Sequence, residues 1–238
     1  MRAMTRIFVV TLLAGWGAAA AADPSLPFDQ TFLSGYSRLQ RRSEGQVVDY
    51  VYAVPDIRSQ LGKFPKGFFV DTPEILISPD SPYKGGKPED LAKVAALMRD
   101  ALVARLQQGG YPIAAAPGPE VLVFRLALTD LKMEKNKRSL LAYTPVGAVA
   151  KAGADALKDM MQRTDIIDMT LQAALIDGGT SQVLVELVIP DPTPGQRIEF
   201  EQLRALVDEY GARARCRIDN ARLPENEQVN CLLPVARE

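Results

Sequence analysis

The chain has 238 residues, of which 47% are hydrophobic and 24% charged, and its formal net charge at pH 7 is -1. This composition excludes wholesale disorder, and the near balance of acids and bases argues against a nucleic-acid-binding surface. Histidine is absent, which excludes Ser-His-Asp and Cys-His catalysis and histidine metal ligands. We therefore predict no metal site, no cofactor and no nucleic-acid partner.

The N-terminus has the order of a cleavable export signal. Two arginines precede a short apolar stretch at residues 7–15, and a run of five alanines ends at Ala22. We predict a signal peptide over residues 1–22, cleaved between Ala22 and Asp23. The alternative is an uncleaved membrane anchor, but a transmembrane helix needs about 20 apolar residues, and this stretch is shorter.

The signal contains a near match to the site at which bacterial lipoproteins are lipidated. Residues 13–16 are Leu-Ala-Gly-Trp, where a lipoprotein would have Leu-Ala-Gly-Cys. Trp16 has no thiol to carry a diacylglycerol group, so this position predicts export without a lipid anchor. We therefore expect a soluble bacterial protein of the periplasm, or a secreted one, with no transmembrane anchor after cleavage.

The next segments predict a leader, two strands and a long helix. Residues 23–46 are expected to form an extended leader with a short helical turn, ahead of a single domain over residues 47–214. Strand-forming residues concentrate at 47–54 and 68–78, and the second stretch is interrupted by a proline that predicts an edge or a bulge. A helix is predicted from Pro88 to a Gly-Gly stop at 109 and 110, with apolar residues every three or four positions facing a sheet.

Two further strand pairs follow this helix. Residues 111–115 and 120–131 predict a strand-turn-strand unit, and both faces of the second strand are apolar, which is typical of a central strand. Residues 165–176 and 182–189 predict a hairpin around an Asp-Gly-Gly turn. One face of this hairpin is expected to meet the core, and the other is expected to meet water through the side chains of Asp168, Thr170 and Gln172.

The order of elements predicts an α+β fold, a two-layer domain in which helices pack against a mixed β-sheet, with a C-terminal disulfide loop. A last helix is predicted at residues 199–214. The tail at 215–238 contains both cysteines, Cys216 and Cys231. An even pair at this spacing in an oxidising compartment predicts a disulfide, whereas the alternatives are two free thiols or a redox pair.

Residues 132–163 predict a basic run followed by an alanine-rich helical insert. Lys135, Lys137 and Arg138 are candidates for contact with a partner or an anion. The alternative is a solvated strand end followed by a crossover helix that packs on its own domain, and we favour this alternative because too few large apolar residues are present to insert at an interface.

Candidate catalytic groups do not form a motif. Pairs of carboxylates can perform acid-base chemistry when their pKa values are driven apart. The candidates in this sequence are Asp71, Glu74, Asp80 and Asp130. We interpret these four carboxylates as exposed strand and turn residues, so we predict no catalytic residues.

Several short blocks, taken in order, resemble a known family. They are Phe-Leu-Ser-Gly-Tyr-Ser-Arg-Leu at 32–39, Ile-Ser-Pro-Asp-Ser at 77–81, Gly-Tyr-Pro-Ile at 110–113, Gly-Pro-Glu-Val-Leu at 118–122 and Leu-Ala-Leu-Thr-Asp at 126–130. Together they resemble the bacterial envelope family that carries domain of unknown function 3313 (DUF3313), over residues 32–210. Members are mostly predicted lipoproteins without an assigned activity, so the resemblance implies no functional residues. Trp16 and the cysteine-containing tail depart from the family pattern.

These observations favour an exported, non-enzymatic binding or assembly module of the cell envelope, acting on an envelope protein or ligand. The alternative is a carboxylate-dependent hydrolase that acts on envelope material. A hydrolase would require two of the four candidate carboxylates to meet in one pocket, whereas a binding module would leave them scattered.

Overall fold

The computed structural model describes residues 26–44, 47–84, 88–135, 164–191, 195, 197–198 and 200–231. In this part of the chain the strands are β1 Gln40–Glu44, β2 Val47–Ala53, β3 Phe68–Val70, β4 Glu74–Ile77, β5 Leu122–Lys135, β6 Thr164–Asp177 and β7 Val183–Pro190. The α-helices are α1 Ile57–Leu61, α2 Pro88–Gln108 and α3 Phe200–Asn220, and short 3-10 helices lie at Tyr36–Arg38 and Glu225–Glu227.

The strands form one mixed sheet in the order β1-β2-β7-β6-β5-β3, and β4 also pairs with β5. β3 and β4 run parallel to β5, and the other pairs are antiparallel. Parallel pairing needs a crossover connection, and α2 provides it between β4 and β5. The α+β prediction, with a mixed sheet and helices packed against it, is confirmed.

The local signals in the sequence account for several boundaries. Pro73 divides the predicted strand at 68–78 into β3 and β4, because a proline nitrogen cannot donate to a ladder. The predicted hairpin is β6–β7, and the carboxylate of Asp177 accepts hydrogen bonds from the N–H groups of Gly179 and Thr180 at 2.8 and 3.2 Å. The predicted strand at 111–115 is wrong in extent, since only an isolated bridge between Ile113 and Phe68 forms there.

The helical layer lies on one face of the sheet. The apolar stripe predicted for α2 is buried at Val94, Met98, Leu102 and Leu106, and α2 contacts β3, β4 and α3. The prediction that the last helix ends at residue 214 is wrong. α3 continues to Asn220, because its next turns bury further apolar area. No helix in the described part of the chain combines the length and apolarity that crossing a membrane requires.

The opposite face of the sheet is covered by the leader. Residues 40–44 of the leader form the edge strand β1, and Phe28, Leu33 and Tyr36 pack against Tyr50 and Val188 of the sheet. The expectation that this side of the hairpin meets water is therefore wrong for Thr170 and Gln172, which are 3% and 0% exposed. Asp168 is half-buried and pairs with Lys132 at 3.4 Å.

Candidate functional site

A cavity of about 620 Å³ lies between the sheet and the C-terminal half of α3. Its floor is the helix-side face of β2, β6 and β7, and its walls come from α1, α3 and the segment after α3. The helical layer is centred on the other end of the sheet, because α2 contacts β3 and β4. The cavity is therefore the part of the helix-side face that α2 does not cover.

The lining of the cavity is mostly apolar. Strand alternation turns Val51 and Ala53 of β2 to the same face, and the register pairs them with Leu187 and Val185 of β7. The remaining apolar side chains of the lining include Ile57, Leu61, Phe124, Ala173, Leu175, Ala214, Ile218 and Ala221. Several of these are alanines that lie on different elements. The cavity exists because their small side chains leave a space that larger side chains would fill. A cavity of this size and character is typical of a ligand site.

The charged side chains of the lining are all arginines, Arg42, Arg58 and Arg217. Arg217 donates a hydrogen bond to the carboxylate of Asp49, which is 3% exposed. Within the described ranges the other oxygen of that carboxylate, Oδ1, has no hydrogen-bond partner. Asp49 balances the charge of Arg217, so Arg42 and Arg58 give the cavity a net positive lining.

The disulfide loop forms one wall of the cavity. The predicted bond between Cys216 and Cys231 is present, and it joins Cα atoms 5.6 Å apart. The Asn220 side chain holds the same loop, since its amide donates to the Val229 carbonyl at 2.6 Å and accepts from the Val229 N–H at 3.0 Å. Gln228 of this loop lines the cavity. The sequence predicted the bond but not the wall that it stabilises.

A group of buried polar residues lies on the opposite face, under the leader. We call Tyr36, Thr129, Gln172 and Glu186 the polar cluster. The Tyr36 hydroxyl donates to Gln172 at 2.7 Å, and the Gln172 amide donates to Thr129 at 2.9 Å. Burial raises the pKa of Tyr36. Gln172 also donates to the Asp29 carbonyl at 2.7 Å, and Glu186 accepts from Ser34 and Arg38 at 3.0 and 2.9 Å. Through these bonds the polar cluster holds the leader in place.

The four candidate carboxylates are engaged by separate partners, and none lines the cavity. Glu74 pairs with Arg125 at 2.9 Å, Asp80 pairs with Lys132 at 3.2 Å, Asp130 accepts from the Asp29 N–H at 3.0 Å, and Asp71 accepts from the Thr72 N–H at 2.8 Å. A hydrogen bond from Ser78 and the charge of Lys132 lower the pKa of Asp80. Among the described residues no group of three or more acids or thiols is placed to hold a metal ion.

The other predicted site residues lie away from the cavity or outside the described residues. Lys135 ends β5, with its Nζ atom 5.4 Å from the ring centroid of Tyr83. Lys137, Arg138 and the alanine-rich part of the insert lie outside the described residues, as do Trp16 and the cleavage site between Ala22 and Asp23. These predictions stay predictions.

Comparison with known proteins identifies the family. No curated protein matches this chain. Among solved structures, a dodecamer of a single-substitution variant of PelC from Paraburkholderia phytofirmans is similar at 11% identity and a TM-score of 0.33, over 68% of this chain and 91% of that one. Residues 29–213, which run from the leader through most of α3, match the family described as "Protein of unknown function (DUF3313)". The chain therefore belongs to the DUF3313 family.

Proposed function

We propose that this protein is an exported, non-enzymatic binding module of the bacterial cell envelope, and that it holds an apolar ligand in the cavity. The observation that carries this proposal is the 620 Å³ cavity itself, with a mostly apolar lining drawn from the sheet, α1 and α3. Filling such a cavity with a ligand removes apolar surface from water on both partners, which supplies the free energy of binding.

A binding role rather than a catalytic one is supported by the chemistry of the lining. Among the described residues, the polar side chains of the lining are arginines and amides. These groups keep one protonation state near neutral pH, so they do not serve as general acids or bases. The carboxylates that a hydrolase would use are held by Arg125, Lys132 and main-chain N–H groups elsewhere.

A location in the envelope is supported by the N-terminal sequence and by the disulfide. The first 22 residues have the order of an export signal. The bond between Cys216 and Cys231 is of the kind that forms and persists in oxidising compartments such as the periplasm.

The proposal is tested by closing the cavity. Ala53 lies at the end of β2, where it is exposed and lines the cavity, so Ala53→Trp adds a large side chain at the mouth with little cost to folding. Ala104→Trp is the matched control, because Ala104 is exposed on α2 and does not line the cavity. Val51→Trp, which fills the cavity from a half-buried position on the same strand, is a second test variant.

Titration with an uncharged, environment-sensitive naphthylamine dye measures the outcome. We expect the purified mature protein to bind the dye, and Ala53→Trp and Val51→Trp to weaken binding at least about tenfold, which corresponds to about 1.4 kcal/mol. Ala104→Trp should bind as the unaltered protein does. Equal binding by all variants, or no binding of the dye by the unaltered protein, would contradict the proposal.

A further inference from the structure

We infer that the ligand of this cavity is a single-chain anionic amphiphile of the long-chain fatty acid type, with its acyl chain in the cavity and its carboxylate at Arg42 and Arg58. This inference rests on the proposed binding function and adds the chemical class of the ligand.

The charged side chains that line the cavity are positive. The described lining contains Arg42, Arg58 and Arg217 and no aspartate or glutamate. Asp49 lies opposite Arg42 in the register of β1 and β2, and its carboxylate accepts from Arg217. The described lining therefore has an excess of positive charge at a mostly apolar cavity, whereas the whole chain has a net charge of -1.

Arg42 and Arg58 differ from most other arginines of the described residues in their partners. Elsewhere in the structure arginines are typically ion-paired, as Arg105 is with Asp208 and Arg125 is with Glu74. Within the described ranges, no ion pair or hydrogen bond is found for the guanidinium group of Arg42 or of Arg58. They lie on different elements, the edge strand β1 and the short helix α1, so an acidic group between them would have donors on two sides.

The other polar groups of the lining have fewer donors to offer a head group. The Asn220 amide donates to the Val229 carbonyl at 2.6 Å and to the Cys231 sulfur at 3.1 Å, and the Gln228 amide donates one of its two hydrogens to the Leu223 carbonyl at 3.3 Å. Most of the unused donors therefore belong to Arg42 and Arg58. A guanidinium group matches the two oxygens of a carboxylate with two parallel hydrogen bonds.

The volume of the cavity limits the size of the ligand. A water molecule occupies about 30 Å³ in the liquid, and a methylene group is of similar size, so the 620 Å³ cavity holds roughly 20 such groups. This is the size of one long acyl chain with its head group. A phospholipid with two long chains needs about twice that number, so the volume favours a single-chain ligand.

The test compares ligands that share one chain and differ in head group. The mature protein is titrated below the micelle concentration with hexadecanoate, hexadecanol and hexadecylamine, each displacing the naphthylamine dye. We expect hexadecanoate to bind about tenfold more tightly than hexadecanol, as one or two charge-assisted hydrogen bonds allow, and hexadecylamine to bind most weakly. A dihexadecanoyl phosphatidic acid should not displace the dye at the same concentration.

Variants locate the head group. Arg42→Gln/Arg58→Gln should reduce the ratio of hexadecanoate affinity to hexadecanol affinity from about tenfold to about one. Arg41→Gln is the matched control, because Arg41 is exposed on the same strand and does not line the cavity. The control should keep the full preference.

The outcomes separate this inference from the proposed function. Equal binding of hexadecanoate and hexadecanol, a preference for the amine, or a preference that survives Arg42→Gln/Arg58→Gln would overturn the inference and leave the apolar binding function intact. Failure of every chain to bind would instead contradict the proposed function. A protein shortened to end at Cys231 distinguishes one further occupant. If only this shortened protein bound hexadecanoate, residues 232–238 would be the occupant, and the inference would be wrong.

Discussion

The ion pair between Arg38 and Glu186 gives a quantitative prediction about how the leader is held on the sheet. Glu186 lies on β7 with its side chain 1% exposed, and its Oε2 atom accepts from Arg38 at 2.9 Å. Its Oε1 atom accepts from the N–H and hydroxyl groups of Ser34 at 3.1 and 3.0 Å. Arg38→Ala would leave a buried carboxylate with Ser34 as its remaining partner.

The magnitude follows from this geometry. Removing one member of a buried ion pair costs about 3–5 kcal/mol, because the other charge stays buried without compensation. The Arg38 side chain is 41% exposed, so water already screens part of its attraction to Glu186, and Ser34 still donates twice. We therefore expect Arg38→Ala to lower the free energy of unfolding by about 2–3 kcal/mol.

A second substitution separates the buried charge from the lost contact. In Arg38→Ala/Glu186→Gln the buried group is neutral and still accepts from Ser34. The double variant should lose only about 1 kcal/mol, the net value of an ordinary hydrogen bond, and should therefore be more stable than Arg38→Ala alone. Arg41→Ala is the control for removing an exposed arginine nearby, and it should change stability by less than about 0.5 kcal/mol.

Equilibrium unfolding in urea, followed by far-ultraviolet circular dichroism, measures these differences as shifts in midpoint at constant slope. A loss of less than about 1 kcal/mol for Arg38→Ala, which is the range of a surface ion pair, would contradict this prediction. A double variant less stable than Arg38→Ala would also contradict it, because the buried charge would then not be the source of the loss.

Three other predictions follow from the described contacts. Cys216→Ser/Cys231→Ser should lower the free energy of unfolding by about 3 kcal/mol and also weaken dye binding, and unchanged dye binding would show that the loop is not a wall of the cavity. Burial and a hydrogen bond to Asp219 raise the pKa of Tyr111 from 10.0 to about 12. The neutral Tyr111 hydroxyl should therefore contribute fully to the free energy of unfolding below about pH 10, and this contribution should be lost as the pH rises towards about 12. In alkaline unfolding curves, Tyr111→Phe should lose less stability over this pH range than the unaltered protein does. Leu102, 3% exposed on α2, should not tolerate Asp: Leu102→Asp should cost several kcal/mol in urea unfolding, and a loss below about 1 kcal/mol would contradict the assigned packing of α2.

The elements that the sequence predicted well are those with local signals. Pro88 begins α2, and the apolar spacing that follows it matches one face of a helix. The Asp-Gly-Gly turn fixes the β6–β7 hairpin, and the Asp177 side chain accepts from the turn as expected for an Asx turn. In each case the residues that decide the structure are within a few positions of each other.

The covering of the second face of the sheet could not be predicted in this way. Gln172 and Thr170 alternate with apolar residues along β6, a pattern typical of a face that meets water. Gln172 is buried because the leader supplies its partners, the Tyr36 hydroxyl and the Asp29 carbonyl. These contacts join residues 136 and 143 positions apart, and the leader itself has no regular apolar period that would indicate a packed segment.

The cavity was missed for a related reason. Its signal is a deficit of side-chain volume, shared among Ala53, Ala173 and Ala214 on three elements. An alanine in a strand or a helix gives no signal on its own, and only the topology places these three around one space. Arg42 and Arg58 are exposed, and only the placement of β1 and α1 at the same cavity distinguishes them from other exposed arginines.

The polar cluster and the cavity are connected through shared strands. On β7, Glu186 faces the leader, while Val185 and Leu187 on either side of it line the cavity. On β2, Tyr50 packs with the leader, and Val51 lines the cavity.

Apolar residues would bury the second face at least as well, since buried ion pairs add little to stability by themselves. The hydrogen bonds of Gln172 and Glu186 are directional, so they fix the position of the strands that form the floor of the cavity. A ligand site that relies on shape needs such a floor, because a binding surface that is already ordered does not lose further entropy when the ligand enters.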